Sequence, residues 1–207
     1  MMSKHTNIAF DLDGVLADFH GAFVPMLEIV TGRRHDREIH ISNYELAYEA
    51  SHADVIKAFD YVYNLYRFIR PIEGAKELVH TIWAKSKWRP ITIVTSRPRM
   101  VAPETWALVE HLFPYVRFHI IHTAEKGLYL KEKGFKYFVE DQVTFARDLA
   151  QNGIKTFLLR KSYNISCPAL KNIIPINSLT ELQQPKWLCK FFEEDDGQTP
   201  TKQNSQP

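Results

Sequence analysis

Cysteine is almost absent from this chain. Only Cys167 and Cys189 occur in 207 residues, and their spacing suggests no partner for either. That excludes a disulfide framework and fits a reducing compartment. Long apolar runs are missing too. No stretch approaches the ~20 residues that span a bilayer, and Met1-Met2-Ser3-Lys4-His5-Thr6 contains no apolar leader. The expectation is a cytoplasmic protein with no membrane partner. Charge of one sign is equally scarce, with a formal net of +2. Residues 193–207 carry four acids against one lysine, so the remaining body is mildly basic. That suits small anions weakly and is far from a nucleic-acid footprint. Lys85-Ser86-Lys87-Trp88-Arg89 is too short for a basic stripe and reads as a solvated helix end. No nucleic-acid partner is expected. The length and composition are those of one or two globular domains with an ample core.

What is present begins with Ile8-Ala9-Phe10, a short apolar run that reads as a buried strand. Asp11 and Asp13 follow at once, two residues apart, and Gly14 permits a sharp departure. In a strand, residues two apart share a face, so the two carboxylates sit together at the strand end. Like charges that close repel unless a cation or a shared proton compensates them. Hard carboxylate oxygens suit a hard ion such as magnesium. A polar turn, or the start of a calcium loop, would also begin this way. Val15, Leu16 and Ala17 supply no oxygen side chains for a calcium loop.

Beyond Phe19 the apolar spacing turns helical through Phe23, Met26, Leu27 and Val30, with Pro25 inside it and Thr31-Gly32 at its end. Residues 35–43 are polar and give no assignment. Ser51-His52-Ala53-Asp54 has the layout of a capping box and predicts a helix after it. Tyr44, Tyr48, Tyr61, Tyr63, Tyr66 and Phe68 make this region aromatic, most simply as the core of a helical subdomain. After Pro71 the pattern alternates. Strands are expected at Ile91–Thr95, Val116–His122, Tyr137–Val139 and Lys155–Leu159, with helices between them. Pro175 marks Ile173–Ile176 as a short edge strand if it pairs at all.

Such alternation predicts an α/β fold: a Rossmann-like parallel sheet of about five strands with helices on both faces. The expected core is 1–18 with 71–192. A small helical cap at 19–70 is inserted after the first strand, and 193–207 form a disordered tail.

Three predicted strands end in polar chemistry: Asp11 and Asp13, then Thr95 and Ser96, then Glu140 and Asp141. Lys126 opens a helix just before the third group. Carboxyl ends of adjacent parallel strands converge on one crevice. Acids for a metal, a nucleophilic carboxylate, hydroxyl donors and one cation are the parts that phosphoryl transfer needs.

In this order and placement, Asp11-x-Asp13, Thr95, Lys126 and Glu140-Asp141 resemble the four motifs of the haloacid dehalogenase superfamily, in its phosphatase branch. More narrowly, the stretch from Asp11 to Phe19 and Thr95-Ser96-Arg97-Pro98 resemble the 5'(3')-deoxyribonucleotidases and their bacterial relatives. The fourth motif is Glu-Asp here rather than Asp-Asp.

The resemblance implies a phosphatase that uses Mg2+ and an aspartyl-phosphate. Asp11 is then the nucleophile and Asp13 the proton donor and acceptor. Thr95 holds phosphoryl oxygens, and Ser96 and Arg97 beside it bind the substrate, well placed at a strand's carboxyl end to hold phosphate oxygens. Lys126 balances charge, preferred over Lys131, Lys133 and Lys136 because it stands at the helix start. Asp11, Asp13 through its carbonyl, and Asp141 hold the metal, with Glu140 beside them. Phe19 or a cap tyrosine offers a face to a nucleotide base. The expected partner is a small phosphomonoester, with a deoxypyrimidine nucleotide first. A sugar phosphate, a polynucleotide end, or a non-catalytic binding module on the same fold stand as alternatives.

Overall fold

The computed structural model describes residues 6–36, 44–168 and 170–192. The expected tail at 193–207 and most of the unassigned polar stretch lie outside the described residues. Six parallel strands make one sheet, in the order β3-β2-β1-β4-β5-β6. They are β1 Ile8–Phe10, β2 Ile91–Thr95, β3 Phe118–His122, β4 Tyr137–Glu140, β5 Lys155–Leu159 and β6 Ile173–Ile176. The sheet therefore has one strand more than the five expected. The extra strand is β6, which pairs with β5 at the sheet margin. Pro175 is tolerated there because only one side of an edge strand needs its hydrogen bonds.

Central strands read as nearly continuous buried runs because helices cover both faces. Every residue of β1 and β2 is buried. Their side chains still alternate. Ile8, Phe10, Ile91, Ile93 and Val139 face one layer, and Ala9, Val94 and Phe138 face the other. The first layer receives α4 (Ala75–Lys85), α5 (Ala102–Leu112) and the C-terminal helix α8 (Pro185–Phe192). The second receives α6 (Lys126–Glu132) and α7 (Val143–Gln151) through Leu130 and Leu149. The α8 helix is tied down at its end, where the Asn7 amide donates to the Phe191 carbonyl at 3.0 Å.

Between β1 and α4 the chain forms α1 (Phe19–Thr31), α2 (Tyr44–Tyr48) and α3 (His52–Asn64). Asp18 caps α1 by accepting from the Gly21 amide at 3.0 Å. Pro25 lies inside α1 without ending it. Ser51 caps α3 as expected, but the reciprocal contact differs. The Ser51 hydroxyl donates to the Asp54 carboxylate at 2.7 Å, since Asp is one carbon shorter than the Glu of a full capping box. Phe19, Phe23, Phe59 and Tyr63 pack ring against ring where α1 meets α3, with Phe19 stacked on Phe23 and Phe59, and Phe59 on Tyr63. These rings are continuous with the apolar layer on the sheet. The segment leaves and returns through paired strands of chain. The Asp18 amide donates to the Arg70 carbonyl and the Ile72 amide to the Leu16 carbonyl, at 2.8 and 3.1 Å.

Strand order decides where a site can form. From β1 the chain winds outward through β2 and β3, then crosses back to β4 and winds the other way. The switch point lies between the carboxyl ends of β1 and β4, the place where open parallel sheets leave a crevice.

Candidate active site

Asp11 stands one residue past β1, and Glu140 and Asp141 stand at the end of β4. They therefore flank that switch point. Carboxylate oxygens of the three lie within 4.8 Å of one another, and all three residues are buried. Burial pushes the Asp11 carboxyl up to about 8; Lys126 opposes this, and Glu140 and Asp13 add to it. Burial, then the charge of Asp11, push Asp141 up to about 6, against a hydrogen bond from Tyr163.

Lys126 is the cation inside this cluster. It opens α6, and its ammonium is fully buried, 2.9 Å from Asp11 Oδ2 and 2.9 Å from Glu140 Oε2. Burial disfavours its charge, but Asp11 and Glu140 outweigh burial and raise its pKa above the ordinary lysine value. The Phe145 ring supports the ammonium at 4.4 Å. Glu140 is fully occupied. Its second oxygen accepts from the Asp141 and Gln142 amides at 3.0 and 3.1 Å. Asp141 is different: its Oδ1 is buried and has no hydrogen-bond partner.

Gly14 makes this proximity possible. Its φ is +77°, and a Cβ there would overlap the Asp141 carboxylate. The turn is closed by its own backbone. The Leu16 and Ala17 amides both donate to the Leu12 carbonyl, at 2.9 and 2.8 Å.

Asp13 lies on the open side of the cluster, and its side chain is 28% exposed. Arg97 donates to both its oxygens, Nε to Oδ2 and Nη2 to Oδ1, each at 2.7 Å. Thr95 ends β2, buried beside β1, and its Oγ1 accepts from the Arg97 amide at 3.2 Å. Ser96 is exposed at the same strand end. Phe19 is only 5% exposed and packs mainly into the ring cluster of the helices. It also lines the pocket above the acids, with Asp13, Gly14, Tyr44, Asp141 and Tyr163.

Tyr163 and Asn164 were not legible as site residues. Both come from a 3₁₀ turn after β5. The Tyr163 hydroxyl donates to Asp141 Oδ2, and the Asn164 amide donates to the Asp141 carbonyl at 2.6 Å. Lys161 precedes them at the pocket wall, where burial lowers its pKa against the pull of Asp141 and Asp18. Only the placement of β5 beside β4 brings these residues in, and no local spacing encodes that pairing.

Residues 5–172 match the family of the 5' nucleotidase, deoxy (pyrimidine), cytosolic type C protein. The chain belongs to this family. No curated protein sequence matches it. Solved structures of the same superfamily share the fold at low identity. A HAD hydrolase of family IA, variant 3, from Entamoeba histolytica is 16% identical with a TM-score of 0.56, over 94% of this chain and all of its own. CbbY from Rhodobacter sphaeroides, in complex with phosphate, is 17% identical at a TM-score of 0.60, covering 88% and 98%. The HAD-hydrolase YfnB from Bacillus subtilis, bound to magnesium, is 17% identical at 0.55, covering 84% and 95%. This nucleotidase-family chain is thus a haloacid dehalogenase phosphatase in fold and family. No helix among its described residues is long and apolar enough to cross a membrane.

Proposed function

We propose that this member of the nucleotidase family hydrolyses nucleoside monophosphates, deoxypyrimidine nucleotides first, through a phosphoryl group carried on Asp11. The observation that carries the reading is the buried set at the switch point. A carboxylate faces a fixed ammonium, with a second acid whose inner oxygen has no partner. Lys126 holds one oxygen of Asp11 at 2.9 Å, and the Leu12 amide donates to the other at 2.8 Å, which together fix the orientation of the carboxylate. Asp11 attacks phosphorus, and the bond to the leaving oxygen breaks. Asp13 gives that oxygen its proton. Asp13 then takes a proton from the water that attacks the aspartyl-phosphate and frees Asp11. Thr95 and Ser96 hold phosphoryl oxygens at the end of β2. Residues 19–70 act as the cap over a core of 1–18 and 71–192.

A magnesium ion fits these residues. The buried Asp141 Oδ1 lacks a partner, and the one ammonium inside the cluster of three carboxylates pairs with Asp11 and Glu140. Asp11 and Asp141, with the Asp13 carbonyl, would hold the ion. Glu140 is the weaker ligand, because Lys126 and two amides already use its oxygens. Bound there, magnesium supplies positive charge against the phosphoryl oxygens.

The nucleotide part of the reading rests on family membership and on the rings around the pocket. A flat base can lie on Tyr44 or Phe19 while the phosphate reaches Asp11. Such stacking is worth ~1–3 kcal/mol per base, enough to prefer a nucleotide over ribose phosphate by roughly five-fold to 100-fold.

The test compares kcat/KM for thymidine and deoxyuridine monophosphates with ribose phosphate and an aryl phosphate, before and after chelation. The nucleotides are expected to lead by roughly five-fold or more, and chelation is expected to remove turnover of all four. Nucleotides no better than base-free esters would end the nucleotide assignment and leave the phosphatase. Full turnover after chelation would end the magnesium assignment.

A further inference from the structure

The sequence places Arg97 beside Thr95 and Ser96, where a phosphate ligand would stand. The geometry gives it other work. Its side chain is 1% exposed, and Nε and Nη2 both donate to Asp13. The third nitrogen, Nη1, is buried without a partner. Nothing of this guanidinium faces the pocket while Asp13 stays in the fork. Asp13, by contrast, is open enough to meet a leaving oxygen.

We infer that Arg97 is a positioning residue, which fixes the direction of the Asp13 carboxylate and ties that direction to the helices above. This rests on the reading that Asp13 exchanges protons with leaving group and water. A planar guanidinium that meets both oxygens sets the plane of the carboxylate as well as its place, which an ammonium cannot do. The fork is itself held from two sides. From the core, the Arg97 amide donates to Thr95 Oγ1 at 3.2 Å, and His122 Nδ1 donates to the Arg97 carbonyl at 3.0 Å. From the helices, the guanidinium lies over the rings of Phe19 and Tyr63, 5.5 and 5.0 Å from their centroids. Phe19 opens α1 and Tyr63 lies in the last turn of α3. A shift of these helices moves the rings, the fork and the carboxylate together.

The two half-reactions separate this role from phosphate binding. An aryl phosphate with an acidic leaving group forms the aspartyl-phosphate with little help from an acid. The second step still needs a base on water, whatever the substrate. Arg97→Lys keeps the charge and loses the fork. It is expected to release about one equivalent of phenolate per enzyme in a rapid burst, then to turn over about 100-fold more slowly than the parent. Nucleotide kcat should fall by about 100-fold with KM within about three-fold, the scale of a misaligned acid–base group. Tyr63→Leu keeps the fork and removes one ring. It should show the same pattern at about ten-fold, and it carries the test alone if Arg97→Lys does not fold.

A KM raised for every substrate, with kcat held and no burst, would make Arg97 a phosphate ligand and overturn the inference. Parent-like kinetics in both variants would overturn it as well. Asp13→Asn serves as the reference. It should give the burst followed by an even slower second step. If it turns over nucleotides normally, the proton-exchange reading of Asp13 fails, and it fails independently of anything Arg97 does.

Discussion

Asp11→Asn is expected to lose turnover by about 10⁴-fold or more while the protein stays folded. Removing a catalytic nucleophile costs enzymes on that scale, because the remaining groups have nothing to act through. The fold should tolerate the change. Asp11 is an acid whose burial pushes its pKa to about 8, so the site works against its charge. Asn keeps the shape and removes one of the three clustered charges. It also loses part of the contact with Lys126, and the two effects oppose each other. The melting temperature should stay within about 5 °C of the parent, roughly 1–2 kcal/mol for a chain of this size. Turnover within ten-fold of the parent in a folded Asp11→Asn protein would place the nucleophile elsewhere.

Lys126→Met is expected to cost the most stability. The methionine fills similar volume in contact with Phe138 and Phe145. It leaves Asp11 and Glu140 buried with no counter-charge. Breaking a buried ion pair from one side costs ~3–5 kcal/mol, or about 10 °C at 2–4 °C per kcal/mol. Turnover should also collapse, since Asp11 would meet an anionic phosphate without the ammonium. Glu140→Gln in the Lys126→Met background should recover part of the melting temperature, because the residues share one network. An unchanged melting temperature in Lys126→Met would mean that the acids are neutralised without the lysine.

Much of this arrangement could be read before the fold was known, and the reason is local. Asp11, Asp13 and Gly14 follow a strand at fixed spacing. Thr95 and Glu140 end strands, and Lys126 opens a helix. Strand ends and helix starts leave strong marks in a sequence. The alternation of strands and helices then forces those ends to one side of a parallel sheet. Pairing across the chain leaves no such mark. Arg97 meets Asp13 over 84 residues of separation, and by itself the triplet Thr95-Ser96-Arg97 suggests a phosphate. Tyr163 and Asn164 reach Asp141 only because β5 lies next to β4. The sixth strand hung on a proline-bearing run of four residues, where edge strand and loop look alike. Helix α2, five residues long, is too short for a periodic signal. The aromatic region was legible as a helical core, and Phe19 shows why single rings there were hard to assign. It packs against Phe59 and Tyr63 and borders the pocket as well.

The claim at the centre is that phosphate passes through Asp11. The most direct measurement quenches the enzyme in acid during turnover of thymidine monophosphate, reduces it with borohydride and sequences the peptides by mass spectrometry. An acyl phosphate on Asp11 is predicted to be reduced to homoserine at that position, and only in samples given substrate. Unmodified aspartate at position 11 under the same conditions, with reduction found at another acid of the active enzyme, would contradict it.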